Sequence, residues 1–98
     1  MEALRPVRLL FSSQARHDLD EIYDFVRRER PMAAARILER VRASSDQLRF
    51  QPHIGRNGTV DGTRELVVRG LPYIIVYLID EAAGSVVLLA IVHGTRQR

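Results

Sequence analysis

The sequence predicts an α+β fold, in which a helical hairpin packs on one face of a mainly antiparallel sheet with the element order β-α-α-β-β-β. Two stretches with helical periodicity fill the first half of the chain, one short strand-like stretch precedes them, and three apolar strand-like stretches fill the second half. The chain has 98 residues, of which 46% are hydrophobic and 28% are charged. This length and balance predict a single globular domain over residues 1–98.

The first strand and the two helices are recognised by periodicity and by their boundary residues. Residues 7–12 are rich in branched and aromatic side chains and lead into a serine pair that can cap a helix. Residues 15–26 carry one apolar helical stripe, and a second stripe follows Pro31, a residue that a first helical turn tolerates. The short link at residues 27–30 implies an antiparallel hairpin, and Pro52 is expected to end the second helix.

The second half of the chain predicts one loop and three strands. Residues 51–62 hold three glycines and a proline, which is typical of a loop. Residues 64–69, 73–79 and 86–92 read as strands, with 73–79 in the centre of the sheet. The continuous apolar run of 86–92 predicts that both faces of this strand are covered. The residues expected to be nearly fully buried between hairpin and sheet are Leu19, Ile22, Leu38, Val41, Val76 and Leu88.

The composition limits the chemistry that the chain can perform. Because there is no cysteine, disulfides and cysteine-based zinc or redox sites are excluded. The three histidines, His17, His53 and His93, do not have metal-ligand spacing. Acidic residues at helical spacing within 18–24, among many arginines, predict a solvated and ion-paired helix face rather than a metal site. We therefore expect no metal and no cofactor.

Charge and hydropathy predict a basic cytoplasmic protein that does not enter a membrane. No apolar run reaches the roughly 18 residues of a membrane span, and the N-terminal residues lack the apolar core of a signal peptide. The net charge is +3 and the pI is about 10.2. All 15 basic residues are arginine, whose planar fork suits phosphate and carboxylate partners. Codon usage in a GC-rich genome explains the same bias equally well.

Five segments, taken in order, resemble the RelE/ParE toxin superfamily of type II toxin–antitoxin systems. They are ARHDLDEI at 15–22, PHIGR at 52–56, GTREL at 62–66, PYIIVY at 72–77 and HGTR at 93–96. The resemblance extends over nearly the whole chain and implies the α+β fold of these toxins. It also implies a hetero-oligomer with a cognate ParD-like ribbon-helix-helix antitoxin.

The superfamily has two broad activities, since RelE-like members cut mRNA in the ribosomal A site and ParE-like members poison DNA gyrase. Matching the shared strands places the basic catalytic positions of RelE-like toxins at Glu65, Val67, Ile74 and Arg96, and only Arg96 is basic. The C-terminal catalytic tyrosine has no counterpart before the chain ends at Arg98. The resemblance therefore favours a ParE-like toxin that acts on gyrase by binding rather than by catalysis. The alternatives are a RelE-like ribosome-dependent endonuclease and a non-toxic member that only binds its antitoxin.

The resemblance also points to particular residues. The candidates for contact with gyrase or nucleic acid are Arg64, Tyr73, His93, Arg96 and Arg98. If the chain is instead a nuclease, the catalytic candidates are His93, Arg96, Arg64 and Tyr77.

Three of these residues also have a purely structural interpretation. His93 can serve as a strand-end histidine that hydrogen-bonds the neighbouring loop. Arg64 can form a bridge to Asp18 or Glu21 that pins the edge of its strand. Tyr77 can be a core aromatic whose hydroxyl reaches the rim.

Overall fold

The structure is a computed structural model that describes residues 5–94. Both predicted helices and all four predicted strands are present, together with one short strand that was not predicted. The elements are β1 at Arg8–Phe11, α1 at Ser13–Arg27, α2 at Pro31–Gln47, β2 at Arg56–Asn57, β3 at Thr63–Val67, β4 at Tyr73–Asp80 and β5 at Ser85–His93. The unpredicted strand, β2, lies inside the glycine-rich loop and is too short to show any periodicity.

The five strands form one mixed sheet with the order β1-β5-β4-β3-β2. β1 pairs in parallel with β5, and the other three pairings are antiparallel. The α+β class and the order of the predicted elements are confirmed, and β4 is the central strand. The register between β4 and β5 shifts after Val76, which pairs with Ala90, because Tyr77 pairs with Leu88 and leaves Leu89 as an extra residue.

Ser12 ties the start of α1 to this irregular part of β5. Its Oγ accepts the Ala15 N–H at 3.0 Å, which confirms the predicted cap. The same hydroxyl donates to the Leu89 carbonyl at 3.0 Å, and the Ser12 N–H donates to the Leu88 carbonyl at 2.9 Å. The hydrogen bonds of this N-cap residue therefore fix the position of the start of α1 on the sheet.

α2 begins at Pro31, as predicted, but the expectation that it continues to Pro52 is wrong. After Gln47 the backbone tightens into i→i−3 hydrogen bonds, the first of which runs from the Leu48 N–H to the Ser45 carbonyl at 3.0 Å. This tighter turn buries the Leu48 side chain completely. Within residues 5–94, neither helix is long and apolar enough to cross a membrane.

The core lies between the helical hairpin and one face of the sheet. On β4 that face carries Ile75 and Tyr77, which are both fully buried. Of the six residues expected to be nearly fully buried, Val41 and Leu88 are confirmed, at 1% and 0% exposure. Val76 is half-buried because it alternates with its neighbours and lies on the opposite face.

The expectation is also wrong for the other three residues of that set. Leu19 and Leu38 are half-buried because they line a groove beside β1. Ile22 is half-buried because it lines a second groove between α1 and β5. Both grooves open where the hairpin diverges from the edge of the sheet.

The face of the sheet opposite the helices is apolar and partly exposed. Val67 is 53% exposed and Leu10 is 40% exposed. The prediction that both faces of β5 are covered is wrong, since Val87 and Val92 remain half-buried. Their apolar character therefore belongs to a face that is covered in part, since Ile74 on the same face is buried.

Candidate functional site

Tyr77 anchors the loop that follows α2 onto the sheet. Its hydroxyl donates to the Pro52 carbonyl at 2.7 Å and accepts the Gly55 N–H at 3.0 Å. Burial raises the pKa of Tyr77 above the ordinary value of 10.0, against the opposing effects of the Gly55 hydrogen bond and the Arg64 charge. The structural interpretation of Tyr77 agrees with this geometry, because its ring is fully buried and both hydrogen-bonding functions of its hydroxyl are used.

Arg64 holds the same loop from the neighbouring strand. It pairs with Tyr77 in the β3–β4 register, and its Nη1 donates to the carbonyls of Gly55 at 2.7 Å and His53 at 3.3 Å. The prediction that Arg64 forms a bridge to Asp18 or Glu21 is wrong. Arg64 is directed to loop carbonyls instead, because the loop folds back over this end of the sheet.

The ion pair at this strand is formed by Glu65. The sequence predicted such a pair for its neighbour Arg64. Arg56, on β2, places Nη2 3.0 Å and Nε 3.1 Å from Glu65 Oε1. The Glu65 side chain is only 5% exposed, whereas that of Arg56 is 61% exposed. A buried carboxylate requires such a partner, and the unpredicted strand β2 provides it.

The face of the sheet opposite the helices carries three of the four positions to which the resemblance assigned RelE-like catalytic residues. Val67 pairs directly with Ile74, and Glu65 pairs with Val76. Since alternate residues of a strand share a face, Glu65, Val67 and Ile74 lie together. One of them is a carboxylate paired with Arg56 and two are aliphatic, so none of these three positions carries a basic side chain.

Tyr73 and His93 meet at the other end of β4. They are cross-strand partners, and their rings contact edge to face with centroids 5.6 Å apart at 83°. Both side chains line the groove between α1 and β5, which has a volume of about 960 Å³. Tyr73 is four residues from Tyr77, or about 13 Å along the strand, so the structure separates the predicted site residues into two places. Tyr73 and His93 form one, and Arg64 and Tyr77 form the other.

One wall of this α1–β5 groove is acidic. Asp18 Oδ2 accepts the Ile91 N–H at 2.9 Å and so occupies a backbone donor on β5 beyond the part that β1 pairs. Asp24 is ion-paired with Arg27 at 3.2 Å, as expected for a solvated helix face. Among residues 5–94, no group of three His, Asp or Glu side chains is arranged to hold a metal ion.

A second groove, of about 400 Å³, runs beside the edge strand β1. Its floor is apolar and includes Phe11 and Leu38, and its lining also holds two arginines and two aspartates, namely Arg16, Arg42, Asp20 and Asp46. The guanidinium of Arg16 lies 5.9 Å from the centre of the Phe11 ring. An edge strand next to an apolar groove is a surface where an extended or helical segment can dock.

Two of the predicted contact residues, Arg96 and Arg98, lie outside the described residues. Two residues that the structure shows to be important, Arg56 and Asp18, were not identified as site residues from the sequence. Arg56 stands in the PHIGR segment, so the resemblance marked its position without its role. Nothing in the local sequence connects Asp18 to Ile91, because they are 73 residues apart.

Comparison with known proteins identifies the family to which the chain is related. The profile described as the ParE toxin of the type II toxin–antitoxin system, parDE, matches residues 9–98. The Sinorhizobium fredii protein Y4kP, named as a candidate toxin, is 37% identical over 90 residues, covering 92% of this chain and 91% of its own length.

Solved structures show the same fold at low sequence identity. A chain of the chromosomal ParDE system of P. aeruginosa superposes with a TM-score of 0.80 at 22% identity, covering 89% of this chain and 95% of its own. The isolated E. coli RelE toxin superposes with a TM-score of 0.67 at 15% identity, covering 94% and 88% respectively. In the RelBE2 complex of Mycobacterium tuberculosis, the matching chain has a TM-score of 0.63 at 24% identity, covering 95% and 97%.

These findings define a small α+β toxin of the RelE/ParE superfamily. Within it, the chain belongs to the ParE toxin family of type II toxin–antitoxin systems.

Proposed function

We propose that this toxin inhibits DNA gyrase by binding to it and does not cleave RNA. The observation that carries the proposal is the side-chain chemistry of the sheet face opposite the helices. Where the resemblance to RelE-like toxins places basic catalytic groups, this chain has an ion-paired Glu65 and the aliphatic Val67 and Ile74. Family membership supports the same conclusion, since the matching family is ParE.

The contact with gyrase is proposed to involve the exposed groups at the Tyr73 end of β4. Tyr73 and His93 line an open groove, and the arginines at positions 96 and 98 follow His93 in the sequence. Arg64 is removed from this proposal, because its guanidinium holds the loop at the opposite end of the strand. The proposed contact set is therefore Tyr73, His93, Arg96 and Arg98.

A ParD-like ribbon-helix-helix antitoxin is proposed to neutralise the toxin by covering β1 and the groove beside it. The groove offers an apolar floor, which suits an amphipathic segment that orders on binding. Solved relatives with this fold come from complexes with antitoxins, namely the ParDE and RelBE2 systems.

The test compares two activities of the same purified toxin. We expect inhibition of gyrase supercoiling, reversed by the antitoxin, and no cleavage of mRNA on programmed ribosomes. His93→Ala should weaken the inhibition of supercoiling if the Tyr73–His93 surface contacts gyrase. Tyr23→Ala on α1 is the matched control and should leave the inhibition unchanged. Codon-specific cleavage in a toeprint that disappears in His93→Ala would contradict the proposal.

A RelE-like endonuclease is the second candidate, and one observation favours it. His93 is a titratable group next to the hydroxyl-bearing Tyr73 in an open groove, and some RNases use such residue types for acid–base catalysis. The toeprint experiment separates the two candidates directly.

A further inference from the structure

Charge is divided unequally between the two helices. Residues 13–26 hold one arginine and four carboxylates, whereas residues 27–49 hold seven arginines and three carboxylates. The acidic helix α1 faces the groove with Tyr73 and His93. In the basic helix α2, Arg42 lines the proposed antitoxin groove, whereas Arg36 and Arg40 line neither groove.

An exposed row of side chains follows one line along α2. Met32, Arg36 and Arg40 are four residues apart and stand on successive turns, with a rise of about 6 Å between them. Arg40 Nη1 donates to the Arg69 carbonyl at 3.0 Å, which brings the turn between β3 and β4 beside this row. Arg30 precedes the row at the start of α2. We call these five residues, Arg30, Met32, Arg36, Arg40 and Arg69, the α2 patch.

The guanidinium groups of the α2 patch are exposed and are not neutralised by ion pairs. Within residues 5–94, no carboxylate lies within 4.0 Å of any of them, although Glu29 and Glu39 are close in sequence. Elsewhere in the molecule, Arg27, Arg49 and Arg56 each have a carboxylate partner. Unpaired and exposed guanidinium groups are suited to binding phosphate oxygens.

A row of guanidinium groups along one helix suits the regularly spaced phosphates of a nucleic acid. No residue of the patch lines either of the two grooves, so the patch lies outside both. The major groove of B-DNA admits an α-helix, and its phosphates offer a dense array of acceptors. Met32 is 80% exposed at the N-terminal end of the row, where an apolar side chain can contact sugars or base edges.

We propose that the α2 patch binds the phosphate backbone of duplex DNA. The contact does not depend on gyrase, so it goes beyond the proposed function and stands without it. In a complex of toxin, gyrase and DNA, it would give the toxin a second attachment point, on the DNA itself.

The test measures DNA binding by the full-length toxin, purified away from its antitoxin, because a ribbon-helix-helix partner itself binds DNA. The probe is a short fluorescein-labelled duplex, followed by fluorescence anisotropy between about 50 and 200 mM salt. Arg36→Gln/Arg69→Gln removes two charges from the patch. Arg5→Gln/Arg8→Gln is the matched control, since it removes two exposed arginines that lie outside the patch and line neither groove.

We expect the patch variant to bind DNA about tenfold more weakly, and the slope of log K against log salt to fall in magnitude by about 2, for two lost phosphate contacts. The control should change affinity less than about twofold. Met32→Gln should weaken binding without changing the salt slope. Thermal melts of all variants should coincide with that of the wild type, since every substituted side chain is exposed.

Three outcomes would overturn the proposal. One is an equal loss in the patch variant and the control, which would indicate a general effect of net charge. Another is the absence of measurable DNA binding by the wild-type toxin. The third is a patch variant that binds DNA normally but loses affinity for the antitoxin, which would assign the patch to an acidic protein segment. Because no gyrase is present in the assay, none of these outcomes bears on gyrase inhibition.

Discussion

The Gly55 N–H donates to the phenolic oxygen of Tyr77 at 3.0 Å, and this contact leaves room for nothing larger than glycine. A Cβ atom at position 55 would lie 2.6 Å from the Tyr77 hydroxyl and 2.8 Å from the Glu65 carbonyl oxygen. The glycine and the tyrosine therefore depend on each other, although they are 22 residues apart. Through this contact the loop after α2 is held against β3 and β4.

Tyr77→Phe should destabilise the toxin by about 1–3 kcal/mol, because the Gly55 N–H and the Pro52 carbonyl lose a buried partner. For a domain of this size, the melting temperature should fall by roughly 4–8 °C per kcal/mol. Thermal unfolding followed by circular dichroism measures the change. Tyr73→Phe is the control and should have little effect, because Tyr73 is only half-buried and its hydroxyl forms no hydrogen bond within residues 5–94. Equal shifts in the two variants would contradict the assigned role.

The stability of the toxin should decrease at alkaline pH partly through Tyr77. Burial raises the pKa of this group, so the unfolded chain loses the proton at a lower pH than the folded chain. The stabilising effect is complete below the ordinary pKa near 10.0 and is lost as pH rises through the folded-state value. Urea unfolding of wild type and Tyr77→Phe should therefore show a difference in unfolding free energy that is constant up to about pH 10 and narrows above it. A difference that widens with pH would show that folding lowers the pKa of Tyr77 instead of raising it.

Leu88→Ala should cost about 2–5 kcal/mol, because the side chain is fully buried between hairpin and sheet and its removal leaves a cavity. Leu10→Ala, on the opposite face and 40% exposed, is the matched control and should cost less than about 1 kcal/mol. Chemical denaturation of both variants measures the two costs. Similar values would mean that the faces of the sheet are assigned incorrectly.

Leu38→Glu should weaken antitoxin binding by roughly thirtyfold or more, because it places a charge in the apolar floor of the groove beside β1. Val67→Glu places the same charge on the opposite, exposed face of the sheet and serves as the control. Isothermal titration of each variant with the cognate antitoxin gives the two affinities. A loss confined to Val67→Glu would place the antitoxin on the other face.

Arg96→Gln/Arg98→Gln should reduce gyrase inhibition by about tenfold, as expected for the loss of two arginine contacts to phosphates. Antitoxin affinity should be unchanged, since the proposed antitoxin groove involves β1 and the hairpin. A supercoiling assay with titrated toxin measures the first effect, and antitoxin titration measures the second. If both fall together, the two partners share the C-terminal arginines and the proposed separation of surfaces is wrong.

Local signals in the sequence were sufficient for most of the fold. Ser12 and Pro31 mark the starts of the helices because capping and the first helical turn depend on one residue and its nearest neighbours. The strand around Tyr77 was found from its apolar run, and its central place in the sheet is confirmed. The two-residue strand β2 was missed because its pairing with β3 has no local signature.

The candidate site was predictable only in part. The resemblance identified Tyr73 and His93 as candidates, and the structure places their rings in contact. It also identified Arg64 and Tyr77, which the structure assigns to holding a loop. Residue type and strand alternation cannot distinguish these two outcomes, since each pair combines a tyrosine of β4 with a polar residue of a neighbouring strand.

The sequence by itself determined the class of the fold, the order of its elements and the family, because periodicity, capping residues and ordered segments are properties of neighbouring residues. Only the tertiary structure decided which carboxylate meets which partner. Asp18 reaches the backbone of Ile91, and Arg56 rather than Arg64 forms an ion pair with Glu65. Sheet register and helix direction bring such groups together across long stretches of chain, and the free energy of these contacts depends on burial that no local pattern specifies.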